Sequence, residues 1–193
     1  MILHDQSLLP TAPSVPVGTT WTIIEDTTWE VLATGSYQIE MHGGGGGAAR
    51  ISASSFGQSV TVLSSGGGSG ELYVQNLTKG EKIQAVIGAG GQRENTLFPL
   101  ASITGGTGGT TTFGTLSLAG GGGGYAVSGS AASGGDASGS LASPGATLQL
   151  KGMAKGGYGN MHNESQPYGN GGDADSDMAF DGEPGAIIIT YLG

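Results

Sequence analysis

Residues 37–49 read YQIEMHGGGGGAA. The first half alternates. Tyr37, Ile39 and Met41 fall on one face and Gln38, Glu40 and His42 on the other, the period-two pattern of a half-buried strand. The second half, Gly43, Gly44, Gly45, Gly46 and Gly47, carries no side chain at all. A strand that runs straight into five glycines leaves two readings: a flexible linker, or backbone packed so closely against other backbone that nothing larger than hydrogen fits.

Working outward, the same juxtaposition recurs. Strand signals lie at Thr20–Glu25, Trp29–Thr34 and Ser36–His42, in QSVTVLSS around Val60 and Val62, in ELYVQN, in EKIQAVIG and in Thr111–Leu118. They continue at TLQLK around Leu148 and Leu150 and at Ala186–Leu192, whose continuous apolar run suits a strand buried on both faces. No stretch keeps a 3.6-residue period over ten residues, so the fold class predicted is all-β with almost no α-helix. Between the strands lie glycine runs at 43–47, 66–68, 88–91, 105–109 and 120–124, with sparser ones at 129–139, 156–159 and 169–172. As linkers, all of these would impose a large chain-entropy cost and break one small protein into beads. The alternative is a set of extended helices with three residues per turn, of the polyglycine-II type. Lacking side chains, such helices approach closely and bond laterally, so each buried N–H and C=O finds a partner. On this reading Gly43–Gly47 and Gly120, Gly121, Gly122, Gly123 and Gly124 are interior scaffold.

Glycine supplies 41 of the 193 residues, yet residues 1–42 contain only Gly18 and Gly35. The sequence therefore divides into a tail, 1–18, and a single glycine-rich β domain, 19–193. The tail carries Pro10, Pro13 and Pro16 and reads as extended chain, either a loose terminus or a docking peptide that orders on a larger assembly. There is no cysteine, so disulfides, thiolate metal sites and thiol nucleophiles are all excluded. Six basic against fifteen acidic residues, a net charge of -9, argues against nucleic acid and against an anionic membrane surface. No apolar run reaches the ~20 residues of a membrane span.

Four blocks together carry a resemblance. YQIEMHGGGGGAA (37–49), VIGAGGQ (86–92), GGTTTFG (108–114) followed by LSLAGGGGG (116–124), and the closing PGAIIITYLG (184–193) occur in the order found in a known family. The chain resembles the glycine-rich C-terminal domain of bacteriophage tail-fibre and receptor-binding (adhesin) proteins over about residues 36–193, and more distantly the glycine-rich ectodomain of some animal receptor kinases. The resemblance implies a jelly-roll-like β-sandwich joined to packed polyglycine-II-type helices. It also implies a virion location, a homotrimer, and loops that touch a host-surface receptor, polysaccharide or protein. Tail fibres are usually long, whereas about 35 residues precede the glycine-rich part here. A short tip protein capping another fibre is expected, attached to other fibre or tail proteins through 1–18. The alternative is a structural or decoration protein of the virion: a head fibre, collar or tail accessory.

Chemistry-bearing motifs are sparse. No GxxxxGK string exists for a P-loop, and GxGxxG is trivial in so glycine-rich a chain. Asp173, Asp175 and Asp177 have calcium-loop spacing, but Met178 stands where that loop needs glycine and Pro184 where it needs glutamate. They are left as a weak calcium candidate beside the reading of a solvated acidic loop, and no cofactor is expected. His42, on the polar face of its strand, reads as a surface or satisfied histidine. His162 neighbours Glu164 and Ser165 in one loop, whereas a triad needs groups held from separate elements. No enzyme activity is expected. The stretch 155–180 reads better as a binding surface: Tyr158, Met161, His162, Tyr168 and Phe180 are set among Asn160 and Asn163, aromatic faces and amides suited to sugar hydroxyls or a protein loop. Residues 92–104, with Leu97, Phe98, Pro99 and Leu100 in a row, form a second candidate loop.

Overall fold

The computed structural model describes residues 14–55, 58–64, 69–96, 102–127, 146–151, 168–172 and 178–193, and all of its regular structure is β. In chain order the strands are β1 (Thr20–Ile23), β2 (Thr27–Glu30), β3 (Gly35–His42), β4 (Ala49–Ser55), β5 (Gln58–Ser64), β6 (Ser69–Leu77) and β7 (Lys82–Val86). There follow β8 (Glu94–Thr96), β9 (Ser102–Thr104), β10 (Thr111–Phe113), β11 (Leu116–Leu118), β12 (Tyr125–Val127), β13 (Ala146–Lys151) and β14 (Ala186–Tyr191). They form a five-stranded sheet β1-β14-β3-β6-β13, a four-stranded sheet β11-β10-β7-β2, a three-stranded sheet β5-β4-β8 and the pair β12-β9. Every pairing is antiparallel except β4 with β8.

The alternation at 37–42 sets the core. Tyr37, Ile39 and Met41 of β3 are fully buried, and β14 lies beside them with Ile39 opposite Ile189 and Met41 opposite Ile187. Ala186 and Ile187 are buried in succession, after which β14 alternates, Ile189 in and Ile188 half-buried; its two-face burial is confined to its start. Tyr37, Ile39, Met41, Ile187 and Ile189 join Ile83, Ala85, Phe113, Leu116 and Leu118 of the four-stranded sheet in one apolar cluster. Each fully buried Ile, Leu or Phe contributes roughly 1.5–3 kcal/mol. Aromatic rings bridge the two sheets: Trp29 lies 5.6 Å from Trp21, 5.8 Å from Tyr37 and 5.9 Å from Phe113 between ring centroids. Edge and tilted contacts of this kind add about 0.5–1.5 kcal/mol each. Glu71 is buried inside, as are the polar residues His42 and Thr111. Glu71 accepts a hydrogen bond from the Tyr73 hydroxyl on one carboxylate oxygen, and its Oε1 has no partner among the described residues.

Two strand expectations need correction. Thr111–Leu118 is a hairpin, not one strand: Gly114 takes φ +58, its N–H donates to Gln84 O, and β11 folds back on β10. The strand expected over Trp29–Thr34 ends at Glu30, because Val31 turns its backbone bonds to Glu81 O and Gly80 N–H. Strand β4 and the three-residue strands β8, β9 and β12 had no counterpart in the sequence reading.

The glycine runs are cross-bonded backbone. Segment 43–48 lies at the centre. Its Gly44 and Gly47 N–H groups donate to Gly109 O and Gly106 O, and its Gly45 and Ala48 N–H groups to Glu183 O and Phe180 O. Its carbonyls accept in the same step: Gly44 O and Gly47 O from Gly121 and Gly124, Gly45 O and Ala48 O from Gly91 and Glu94, Gly46 O from Gly172. Each repeated contact recurs three residues on. The surrounding segments bond to one another as well, 105–109 with 88–92 and 119–124, and 180–185 with 88–92 and 169–172. Bare backbone is required here. A Cβ at Gly44, Gly45, Gly46 or Gly47 would fall inside 3.0 Å of backbone atoms of a neighbouring segment. Gly43–Gly47, Gly120, Gly121 and Gly124 are buried, whereas Gly122 and Gly123 are partly exposed, although a Cβ at Gly123 would still meet the backbone of Gly105.

Candidate recognition surface

The glycine segments have two ends. At the near end, 43–48, 88–92, 105–109, 119–124 and 180–185 run into β3, β7, β10, β11 and β14 of the two larger sheets. At the far end, 43–48, 88–92, 105–109 and 119–124 run into β4, β8, β9 and β12 of the smaller sheets. Ala49, Ile51, Ile103 and Ala126 close the far end with a small apolar cluster of their own.

The two described members of the expected binding loop lie at opposite ends. Tyr168 is at the near end and half-buried, its ring 6.2 Å from that of His42. His42 is itself buried beneath it, and its Nε2 lies 2.7 Å from Glu40 Oε1. The histidine is thus satisfied, and the polar face of β3 is covered at this point rather than exposed. Here Tyr168 anchors chain to body. Asn170 adds to the anchor, its Nδ2 donating to Glu183 Oε2 at 2.8 Å. Phe180 belongs to the far end. Its carbonyl accepts from Ala48 N–H at 3.0 Å while its side chain stays 40% exposed. Met178 beside it is also exposed.

This short piece is held on both flanks. Ala179 N–H donates to Asn95 Oδ1 at 3.0 Å, and Arg93 N–H donates to Asp181 Oδ1 at 2.7 Å. The backbone under Phe180 is therefore fixed before anything binds, which lowers the ordering cost of recognition. Tyr125 is a further exposed aromatic at this end that the sequence reading passed over. It opens β12 directly after Gly124, whose N–H is bonded to Gly47 O. Its signal was the position of a lone aromatic at the exit of a glycine run. Exposed Arg93, Glu94 and Asn95 complete the set with charge and amide groups.

Tyr158, Asn160, Met161, His162 and Asn163, the acidic trio Asp173, Asp175 and Asp177, the loop Leu97–Leu100 and residues 1–13 of the tail lie outside the described residues. Among the described residues no three His, Asp or Glu side chains gather as metal ligands would. The far end thus combines exposed aromatic, thioether, amide and charged groups on fixed backbone, an arrangement suited to binding. Comparison with protein-family models and with curated proteins gives no match.

Proposed function

We propose that the chain is a bacteriophage virion protein, a fibre or tip component that binds a receptor on the host bacterial surface and catalyses nothing. The observation that carries this reading is the three-residue hydrogen-bond step around segment 43–48. A step of three is that of polyglycine-II-type helices, which rise ~3.1 Å per residue. On this reading the two larger sheets are a jelly-roll-like β-sandwich, and the bundle is a stiff spacer of about 20 Å that carries the far end away from it. Binding loops borne on a rigid scaffold are a recurrent solution for recognition. Phe180 and Tyr125 are the anchors, with Tyr158, Asn160, Met161, His162 and Asn163 contributing from the same long connection. The receptor is a surface polysaccharide or outer-surface protein. Residues 1–18 join the protein, as a homotrimer, to other fibre or tail proteins.

The test is binding of the purified protein to a panel of bacterial strains, with competition against phage adsorption. Cell binding to susceptible strains is expected, and it should be lost in the Tyr125→Ala/Phe180→Ala double variant while circular dichroism stays unchanged. Undiminished binding by the double variant would remove the far end as the site. Association with phage particles without any binding to cells would replace the receptor reading with that of a decoration protein.

A further inference from the structure

A second, unrelated feature lies in the sandwich. A cleft of about 190 Å³ opens between the end of β6, the start of β7 and the β10–β11 turn. Its floor is apolar, made by Leu77, Ile83 and Phe113, all of them core residues. Its walls are polar. Gln75 stands in the row Tyr73, Gln75, Leu77, alternate residues of β6 that face inward, where an apolar side chain is the rule. It is half-buried, and its amide has no hydrogen-bond partner among the described residues. Thr115, exposed in the turn, and Lys82 complete the rim.

We propose that this cleft binds a single pyranose ring of a glycan. The volume lies below the ~300–1,000 Å³ of sites for drug-sized ligands, so one ring is the scale it accommodates. A pyranose has one face of C–H groups to lie over the small apolar edge that Leu77 and Ile83 present, above the buried Phe113. It also has hydroxyls that both donate and accept, matching an amide with both capacities and a threonine hydroxyl. An aliphatic side chain would cover Gln75 and Thr115 without bonding them, at a cost of about 1–3 kcal/mol for each group left unmet. An inorganic anion would gain nothing from the floor. Glu81 places a carboxylate at the rim, which disfavours an anion, and Lys82 beside it can donate to a hydroxyl. The cleft is far from Phe180 along the chain's architecture, so it stands or falls independently of the receptor reading.

The experiment is a two-dimensional amide NMR titration of the full chain with D-glucose, D-galactose, N-acetyl-D-glucosamine and L-rhamnose, each as the free sugar and as its methyl glycoside. At least one should give saturable shifts at millimolar concentration, centred on Gln75, Ile83 and Gly114. Gln75→Leu and Thr115→Val, whose spectra otherwise match the parent, should each weaken it about tenfold, the equivalent of one good hydrogen bond. Equal binding of the methyl glycoside is expected for a ring within a glycan. Binding of the free sugar alone would overturn the glycan source. No saturable shift with any of the sugars, or unchanged affinity in both variants, would overturn the site.

Discussion

Gly45→Ala is the smallest change that separates a packed glycine lattice from a set of linkers. The added methyl would point at Asn170 O, inside 3.0 Å of the 169–172 backbone. Segment 43–48 cannot retreat, because Gly45 N–H is bonded to Glu183 O at 2.8 Å and Gly45 O to Gly91 N–H at 2.7 Å. The strand of chain at 169–172 must therefore move outward. That strains two bonds, Gly172 N–H to Gly46 O at 2.7 Å and Glu183 N–H to Asn170 O at 2.8 Å. Two backbone groups left unmet cost about 1–3 kcal/mol each, and overpacking adds about 1–3 kcal/mol. The sum is about 3–9 kcal/mol, a large part of the ~5–15 kcal/mol that holds a typical domain. In urea, with a slope of about 2 kcal/mol/M, the midpoint should fall by about 1.5–4.5 M. Thr107 provides the control. It sits within the run 105–109 with its side chain exposed, so Thr107→Val should change stability by no more than about 0.5 kcal/mol. Equal urea midpoints for Gly45→Ala and the parent, or an equal loss in Thr107→Val, would refute the reasoning.

Other outcomes follow from single contacts. Burial pushes the Tyr37 phenol above its ordinary 10.0, with Tyr191 adding to the rise and the Ala33 backbone bond opposing it. The fold thus holds the neutral phenol; its contribution is whole below pH 10.0 and is lost as pH rises through the higher folded-state value. Alkaline melting curves should show this, and Tyr37→Phe should flatten that alkaline arm while losing about 1 kcal/mol at neutral pH with the 2.6 Å bond to Ala33 O. Tyr168→Ala, which uncovers His42, should cost about 1–2 kcal/mol in urea melts yet leave cell binding through Phe180 intact. Deletion of residues 1–13 should leave Tm unchanged and abolish incorporation into particles, read by co-sedimentation; deletion through Gly18 should lower Tm, since Gly18 N–H is bonded to Tyr191 O at 2.7 Å.

What the sequence disclosed was local and periodic. The alternation of β3, the apolar run of β14 and the recurrence of glycine runs after strands were all readable because period and composition are written in neighbouring residues. Thr111–Leu118 misled because Phe113 and Leu116 both face the core across a turn, so an apolar rhythm persists where the chain reverses at Gly114. Strands β8, β9 and β12 have three residues each, too few to show a period, and exist by virtue of partners distant in the chain. His42 sits on a face that its own strand marks as polar; its burial is conferred by Tyr168, 126 positions later, and no neighbouring residue announces it. For the same reason the sequence grouped Tyr168 with Phe180, only twelve residues apart, although the glycine segments place them at opposite ends.

Native-state hydrogen exchange at the glycine amides tests the central claim most directly, that these runs are stiff cross-bonded scaffold. The N–H groups of Gly44, Gly45, Gly47, Gly121 and Gly124 are each held by a carbonyl of another segment at 2.8–3.0 Å. They should exchange as slowly as the amides of β3 and β14, in one cooperative unit with the two larger sheets. Exchange of those five amides at the rate of an unstructured chain, with β3 and β14 still protected, would contradict it.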